Sequence, residues 1–227
     1  MAYFISLLVL FSFILFVIKL GQKHNGANWG HPMTNVLDGL LRLYCKRFHR
    51  LGNQVIEIPQ HGRCILAANH LSALDPFLLI AAIDRPVRFM IAKEEYDKPI
   101  LNYMFRAAGC IPVDRTGRVE KAFRSAMRAI NSGELIALFP QGGIHSDKTP
   151  RENIKPGIVR LSQLTKTQVL PVRIRGISAP GTMIKCLFAR SHTQLDVEEL
   201  IPVSIISDDD FKRKFADWLL ERRARLS

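Results

Sequence analysis

His70 and Asp75 lie in the run Asn69-His70-Leu71-Ser72-Ala73-Leu74-Asp75-Pro76, which puts an imidazole and a carboxylate at one strand-to-helix junction. Upstream, Arg63 to Ala68 is a short apolar run of strand type, and downstream the residues from Ala73 to Ile83 read as a helix. The histidine therefore falls at the carboxyl end of a strand, the edge of an open α/β sheet where ligands bind. A histidine with its ordinary pKa near ~6.5 accepts a proton at neutral pH. A carboxylate on its other ring nitrogen fixes the tautomer and stabilises the imidazolium, which is the proton-handling half of a triad. The spacing fixes no serine or cysteine as nucleophile, so the hydroxyl to be activated can belong to the substrate. The competing reading is structural, since such a spacing arises by chance and a histidine at a helix start commonly serves as a hydrogen-bonding cap.

Two further strand ends carry chemistry-bearing residues. Gly109-Cys110-Ile111-Pro112-Val113-Asp114-Arg115 is a strand that ends in a cation, and Phe139-Pro140-Gln141-Gly142-Gly143-Ile144-His145-Ser146 is a strand that opens into a glycine-rich turn. Glycines let backbone amides approach an anion closely, and a guanidinium matches phosphate geometry with a bidentate fork. Taken singly, Gly142-Gly143 is also a plain turn and Arg115 a plain surface charge.

These ends need a sheet to bring them together, and the chain supplies alternating strand and helix patterns. Strands are expected at Gln54 to Ile58, Arg63 to Ala68, Val87 to Ala92, Cys110 to Val113, Leu135 to Phe139 and Val169 to Ile174. Helices are expected at Ala73 to Ile83, Pro99 to Ala108, Val119 to Asn131 and Gly157 to Leu164, with a last amphipathic helix capped by Asp208, Asp209 and Asp210 and running to the basic Arg222, Arg223 and Arg225. The alternation predicts an α/β fold with a mixed, largely parallel sheet flanked by helices.

Residues Ala2 to Ile18 carry no charge, and their 17 residues give roughly 26 Å of helix, just short of a bilayer's hydrocarbon core of ~30 Å. No basic residue precedes the run and no Ala-x-Ala follows it, so an uncleaved membrane anchor is expected over residues 1–20, the alternative being a buried core helix. Lys19 and Lys23 follow it, which puts the bulk of the chain on the cytoplasmic side. Residues 21–53 read as a polar linker from Gly21 to Met33 and then a basic amphipathic helix. In that helix Val36, Leu37, Leu40, Leu41, Tyr44, Phe48 and Leu51 form the stripe, with Arg42, Lys46, Arg47, His49 and Arg50 between them. The remaining domain spans 54–227.

With 227 residues, 48% of them hydrophobic, the chain can bury a real core, and disorder is excluded. Lys and Arg number 32 against 20 Asp and Glu, a net charge of +12 that favours anionic partners. Nucleic acid would explain the charge but not the anchor, and no aromatic-basic module is visible. The four cysteines show no C-x-x-C spacing and read as reduced packing residues, not metal ligands.

Taken together and in order, these blocks resemble the glycerolipid acyltransferase family. Asn69-His70 to Asp75-Pro76 is similar to its Asn-His-x4-Asp signature, Gly109 to Arg115 to its Gly-x-Ile-x-x-x-Arg block, and Phe139-Pro140-Gln141-Gly142 to its Phe-Pro-Glu-Gly block. Val169-Leu170-Pro171-Val172 matches its Val-x-Pro-Val block, and Lys155-Pro156-Gly157 looks like its Lys-x-Gly. The resemblance implies acyl transfer from acyl-CoA or acyl carrier protein to the hydroxyl of a lysophospholipid, with membrane lipids as partners and no metal or other cofactor. It implies His70 as general base, Asp75 as its orienting acid, and Arg115 with Gly142 and Gly143 as the site for the acceptor's phosphate. Two departures stand out. Gln141 replaces the family's glutamate, and Gly142-Gly143-Ile144-His145-Ser146 lacks the cation of Gly-Thr-Arg-Ser, so His145, Lys148 or Arg151 would have to substitute for it, or the acceptor is another lipid. A catalytically silent lipid-binding protein is the rival of a different class, with Gln141 as its main argument.

Overall fold

Six strands, β1 (Cys64–Ala68), β2 (Val87–Ala92), β3 (Ile111–Val113), β4 (Leu135–Leu138), β5 (Val169–Arg175) and β6 (Gln194–Val197), form one sheet in the order β3-β2-β4-β1-β5-β6. The computed structural model that shows this describes residues 1–59, 62–117, 119–146 and 154–220. Neighbours pair in parallel except β6, which runs antiparallel to β5, so the sheet is mixed and largely parallel, as expected. The helices are α1 (Ala2–His24), α2 (Pro32–Arg47), α3 (Asp75–Ala82), α4 (Lys93–Tyr96), α5 (Pro99–Ala107), α6 (Val119–Asn131), α7 (Gly157–Thr165), α8 (Lys185–Phe188) and α9 (Asp209–Leu219).

Every residue of β1 is buried, because helices cover both faces of the sheet. Alternation divides the strand between two cores. Leu66 and Ala68 pack with Leu78 and Leu79 of α3 on one face, while Ile65 and Ala67 pack with Ala126 and Ile130 of α6 and Trp218 of α9 on the other. Since β1 to β5 run parallel, His70, Arg115 and the turn after β4 all emerge at one edge of the sheet.

Several expected boundaries move, each for a physical reason. Gln54 to Ile58 is not a strand: it has no ladder partner among the described residues, and its Ile56 N–H donates to the Ala82 carbonyl at 2.7 Å. β6 went unrecognised because Gln-Leu-Asp-Val buries only Leu195, the pattern of an edge strand. The linker predicted from Gly21 is shorter, since α1 continues to His24 and α2 begins at Pro32. The two helices cross at paired glycines. A Cβ on Gly39 would lie 1.8 Å from the Gly21 carbonyl oxygen, so no larger residue permits this approach. Arg42 is also not on a solvated basic face. It is buried, donates through Nε to Asp38 at 2.6 Å, and reaches the Ala81 and Ile83 carbonyls at the end of α3. Asp38 in turn accepts from the backbone of Gly26, from Asn25 and from the Trp29 indole, so one buried ion pair fastens the α1–α2 turn to the sheet domain. α9 begins at its Asp208 cap as predicted, and its basic end at Arg222, Arg223 and Arg225 lies outside the described residues, as do Lys148 and Arg151.

Candidate active site

His70 follows β1 and Asp75 opens α3, so the loop between them folds back on itself and brings the side chains together. His70 Nδ1 donates to Asp75 Oδ2 at 2.8 Å. The Asp75 carboxylate is fully buried and also accepts the Leu71 N–H at 2.6 Å, the Ser72 N–H at 2.9 Å and the Ser72 hydroxyl at 3.0 Å. Four donors thus hold the carboxylate in one place, and the start of α3 favours its negative charge. With Nδ1 committed to Asp75, the nitrogen left to take a proton is Nε2. The His70 side chain is 18% exposed and its ring stacks on Phe139 at 4.1 Å between centroids, 13° from coplanar.

The neighbouring motif residues brace this pair. Asn69, buried, donates through Nδ2 to the Ile174 carbonyl and accepts the Ile174 N–H through Oδ1, extending the contact between β1 and β5 past the last ladder residue. Gln141 Oε1 accepts the backbone N–H of His70 at 2.6 Å, and the His70 carbonyl accepts the His145 N–H at 2.7 Å. His145 therefore contributes its backbone to the loop and does not line the groove beside His70.

That groove has a volume of about 2840 Å³ and is lined mainly by apolar side chains from α2, α3, α5, α6 and α8, with His70, Arg115, Gly142 and Gly143 on its wall. The Gly142 amide donates to the Phe139 carbonyl at 2.9 Å, so it closes the turn and is not held ready for an anion. What Gly142 provides is space. With φ at +72° and no side chain, it leaves room for Lys155, whose Cε would lie 2.5 Å from a Cβ at this position. Lys155 lines the same groove, and its N–H donates to the Pro140 carbonyl at 2.8 Å. A cation thus reaches the site from the Lys-Pro-Gly segment, although Ile144 stands where a cation was expected. In the sequence Lys155 stands out only as part of Lys155-Pro156-Gly157, because its approach to Gly142 joins two loops that the sequence does not place together. Arg115 is exposed on the groove wall.

Gly109 and Pro171 do not line the groove. Gly109, at φ +64°, precedes β3 at the far edge of the sheet and packs against the Arg88 guanidinium. Pro171 is buried in β5 opposite Ala67. Burial pushes the thiols of Cys45, Cys64 and Cys110 up, to about 12, 11 and 11, which keeps them protonated and inert. Among the described residues no cluster of three or more His, Cys, Asp or Glu could hold a metal ion.

A histidine held by a buried acid at the wall of a large, mainly apolar groove, which Lys155 and Arg115 also line, is an arrangement able to handle a proton next to an apolar and cationic surface. The Acyltransferase family model matches residues 53–175, and the chain belongs to that family. The chain is 28% identical over 132 residues to an N-acylphosphatidylethanolamine synthase of Arabidopsis thaliana, covering 54% of this chain and 46% of that one. It is 22% identical over 129 residues to the 1-acyl-sn-glycerol-3-phosphate acyltransferase of Bacillus subtilis, covering 56% of this chain and 63% of that one. The chain thus spans about half the length of the curated relatives it matches. The crystal structure of the 1-acyl-sn-glycerophosphate (LPA) acyltransferase PlsC from Thermotoga maritima shares the fold, with a TM-score of 0.60, 22% identity, and coverage of 99% of this chain and 94% of that one.

Proposed function

We propose that this chain is a membrane-bound O-acyltransferase that moves a fatty acyl group from acyl-CoA or acyl carrier protein to the hydroxyl of a lysophospholipid, with 1-acylglycerol-3-phosphate as acceptor and phosphatidic acid as product. The observation that carries this reading is the hydrogen bond from His70 Nδ1 to the buried Asp75, which turns Nε2 into the proton acceptor at the groove.

In the reaction, Nε2 of His70 takes the proton of the acceptor hydroxyl as its oxygen attacks the thioester carbonyl. Asp75 holds the imidazole plane and stabilises the imidazolium. The tetrahedral intermediate collapses, the carbon–sulfur bond breaks, and His70 returns the proton to the departing thiolate. A carbon–oxygen bond replaces a carbon–sulfur bond, and no protein nucleophile takes part. Lys155 and Arg115 hold the acceptor's phosphate, Lys155 by passing over Gly142. α1 is long and apolar enough to cross a membrane by length and composition, and Lys19 and Lys23 at its end favour a cytoplasmic catalytic domain, where a soluble thioester arrives.

A second reading keeps the chemistry and changes the acceptor to another lysolipid or hydroxylated lipid, and Ile144 in place of a cation is the observation that favours it. The deciding experiment is an acceptor panel with labelled acyl-CoA and acyl carrier protein, run on the full chain in vesicles. Preference for 1-acylglycerol-3-phosphate supports the first reading, and preference for a lipid without a terminal phosphate supports the second.

A further inference from the structure

After α1 in the chain, twelve large apolar side chains are exposed among the described residues, and nine of them, Met33, Leu37, Tyr103, Met104, Ile184 and Phe188 included, border the groove that holds His70. Scattered apolar residues on a protein surface need no explanation, but their concentration around one opening does. Two lips stand out: Tyr103, 80% exposed, with Met104 on α5, and Ile184 with Phe188, 70% and 78% exposed, at the cap and the last residue of α8. Ile184 and Phe188 are four residues apart and share a face, while Cys186 between them is buried.

We propose that these lips insert into the lipid interface, so that the catalytic domain meets an anionic bilayer through its own surface as well as through α1, and the groove opens sideways into the leaflet. The lips are tied to the anchor. The Tyr44 hydroxyl of α2 donates to the Leu187 carbonyl of α8, and α2 crosses α1 at Gly21 and Gly39. Cations sit beside both lips, with Arg106 exposed on α5 and Lys185 and Arg190 exposed at α8, in a chain of net charge +12. Exposed large apolar groups rimmed by cations are the composition of an interfacial surface, since the rings and branched chains enter the acyl boundary while the cations meet headgroup phosphates. A lysolipid then passes from leaflet to groove with its tail never in water.

This inference rests on the membrane-bound reading above, and the experiment separates the two. Tyr103→Trp and Phe188→Trp are each placed in the full chain, reconstituted into anionic vesicles whose lipids are brominated near the headgroup end of the acyl chain. Phe11→Trp on α1, on the anchor's exposed apolar surface, serves as the bilayer standard, and Val197→Trp on β6, exposed and away from the groove, as the aqueous one. Both lip variants should lose roughly half of their added emission over the unsubstituted protein, close to the Phe11→Trp value. If Phe11→Trp is quenched and the lip variants match Val197→Trp, the lips lie in water and the inference falls while the anchor stands. A chain that stays in the aqueous fraction overturns both. Lip emission that shifts with protein concentration and ignores bromine shows that a second copy covers the patch, which also overturns it.

Discussion

Gln141 Oε1 accepts the backbone N–H of His70 at 2.6 Å from a side chain that is itself buried. The bond needs an acceptor oxygen and no charge, so the amide performs the bracing that a glutamate would. Gln141→Glu should keep kcat within about threefold, whereas Gln141→Leu, which leaves the His70 N–H without this acceptor, should lower kcat by about 10²-fold with little change in acceptor KM. Steady-state kinetics on both variants checks this, and a large gain for Gln141→Glu would show that the charge matters in its own right.

Lys155 passes over Gly142, and the two should fail together. Lys155→Ala is expected to raise the acceptor KM about tenfold for a phosphate-bearing lysolipid, by loss of a charge-assisted contact. Gly142→Ala should give a similar rise, because a methyl group displaces the lysine and φ at +72° strains any side chain there. Measured on a neutral hydroxylated lipid, neither KM should move in the same way.

Asp38 and Arg42 form a buried pair whose loss strands the partner. Asp38→Ala should destabilise the chain by about 3 kcal/mol in denaturant titration, since it leaves a guanidinium buried and the Gly26 amide and Trp29 indole without their acceptor. The double change to Ala at 38 and Leu at 42 should recover part of that loss.

Asp196 gives the fold a pH dependence. Burial alone would raise its carboxyl, but hydrogen bonds from Arg175 and Arg173 and their charges outweigh it and hold the group below its usual 3.8. A depressed folded value adds stability above the unfolded value, and that stability is lost as pH falls through the folded one. Arg173 also stacks over Trp218, 4.9 Å from the ring centroid, so the pair helps hold α9. Asp196→Asn should therefore lower Tm at pH 7, and the gap to the unsubstituted chain should close from about pH 5 downward. Thermal melts across pH read this directly.

The sheet was readable because buried parallel strands are continuous apolar runs, and β1, β2, β4 and β5 fall close to their expected places. Gln54 to Ile58 misled because its alternation resembles a strand, while among the described residues its Ile56 N–H bonds Ala82 and its Gln54 side chain, not its backbone, meets the Leu195 main chain of β6. β6 escaped notice for the opposite reason, being an edge with one buried residue. At the site, His70 and Asp75 could be read because one short loop joins them. The roles of Asn69, Gln141 and Lys155 could not, because each acts on a segment distant in sequence: Ile174, His70 and Gly142. Arg42 was misplaced because a charge on an amphipathic helix reads as solvated until its buried partner is known.

The proposed reaction turns on His70 Nε2 removing the proton from the acceptor hydroxyl. The direct measurement is acyl transfer by purified His70→Ala in vesicles, with thermal unfolding and vesicle binding recorded on the same preparation. If Nε2 is the base, kcat falls by at least about 10³-fold with binding and unfolding unchanged. Turnover within tenfold of the unsubstituted chain would contradict it.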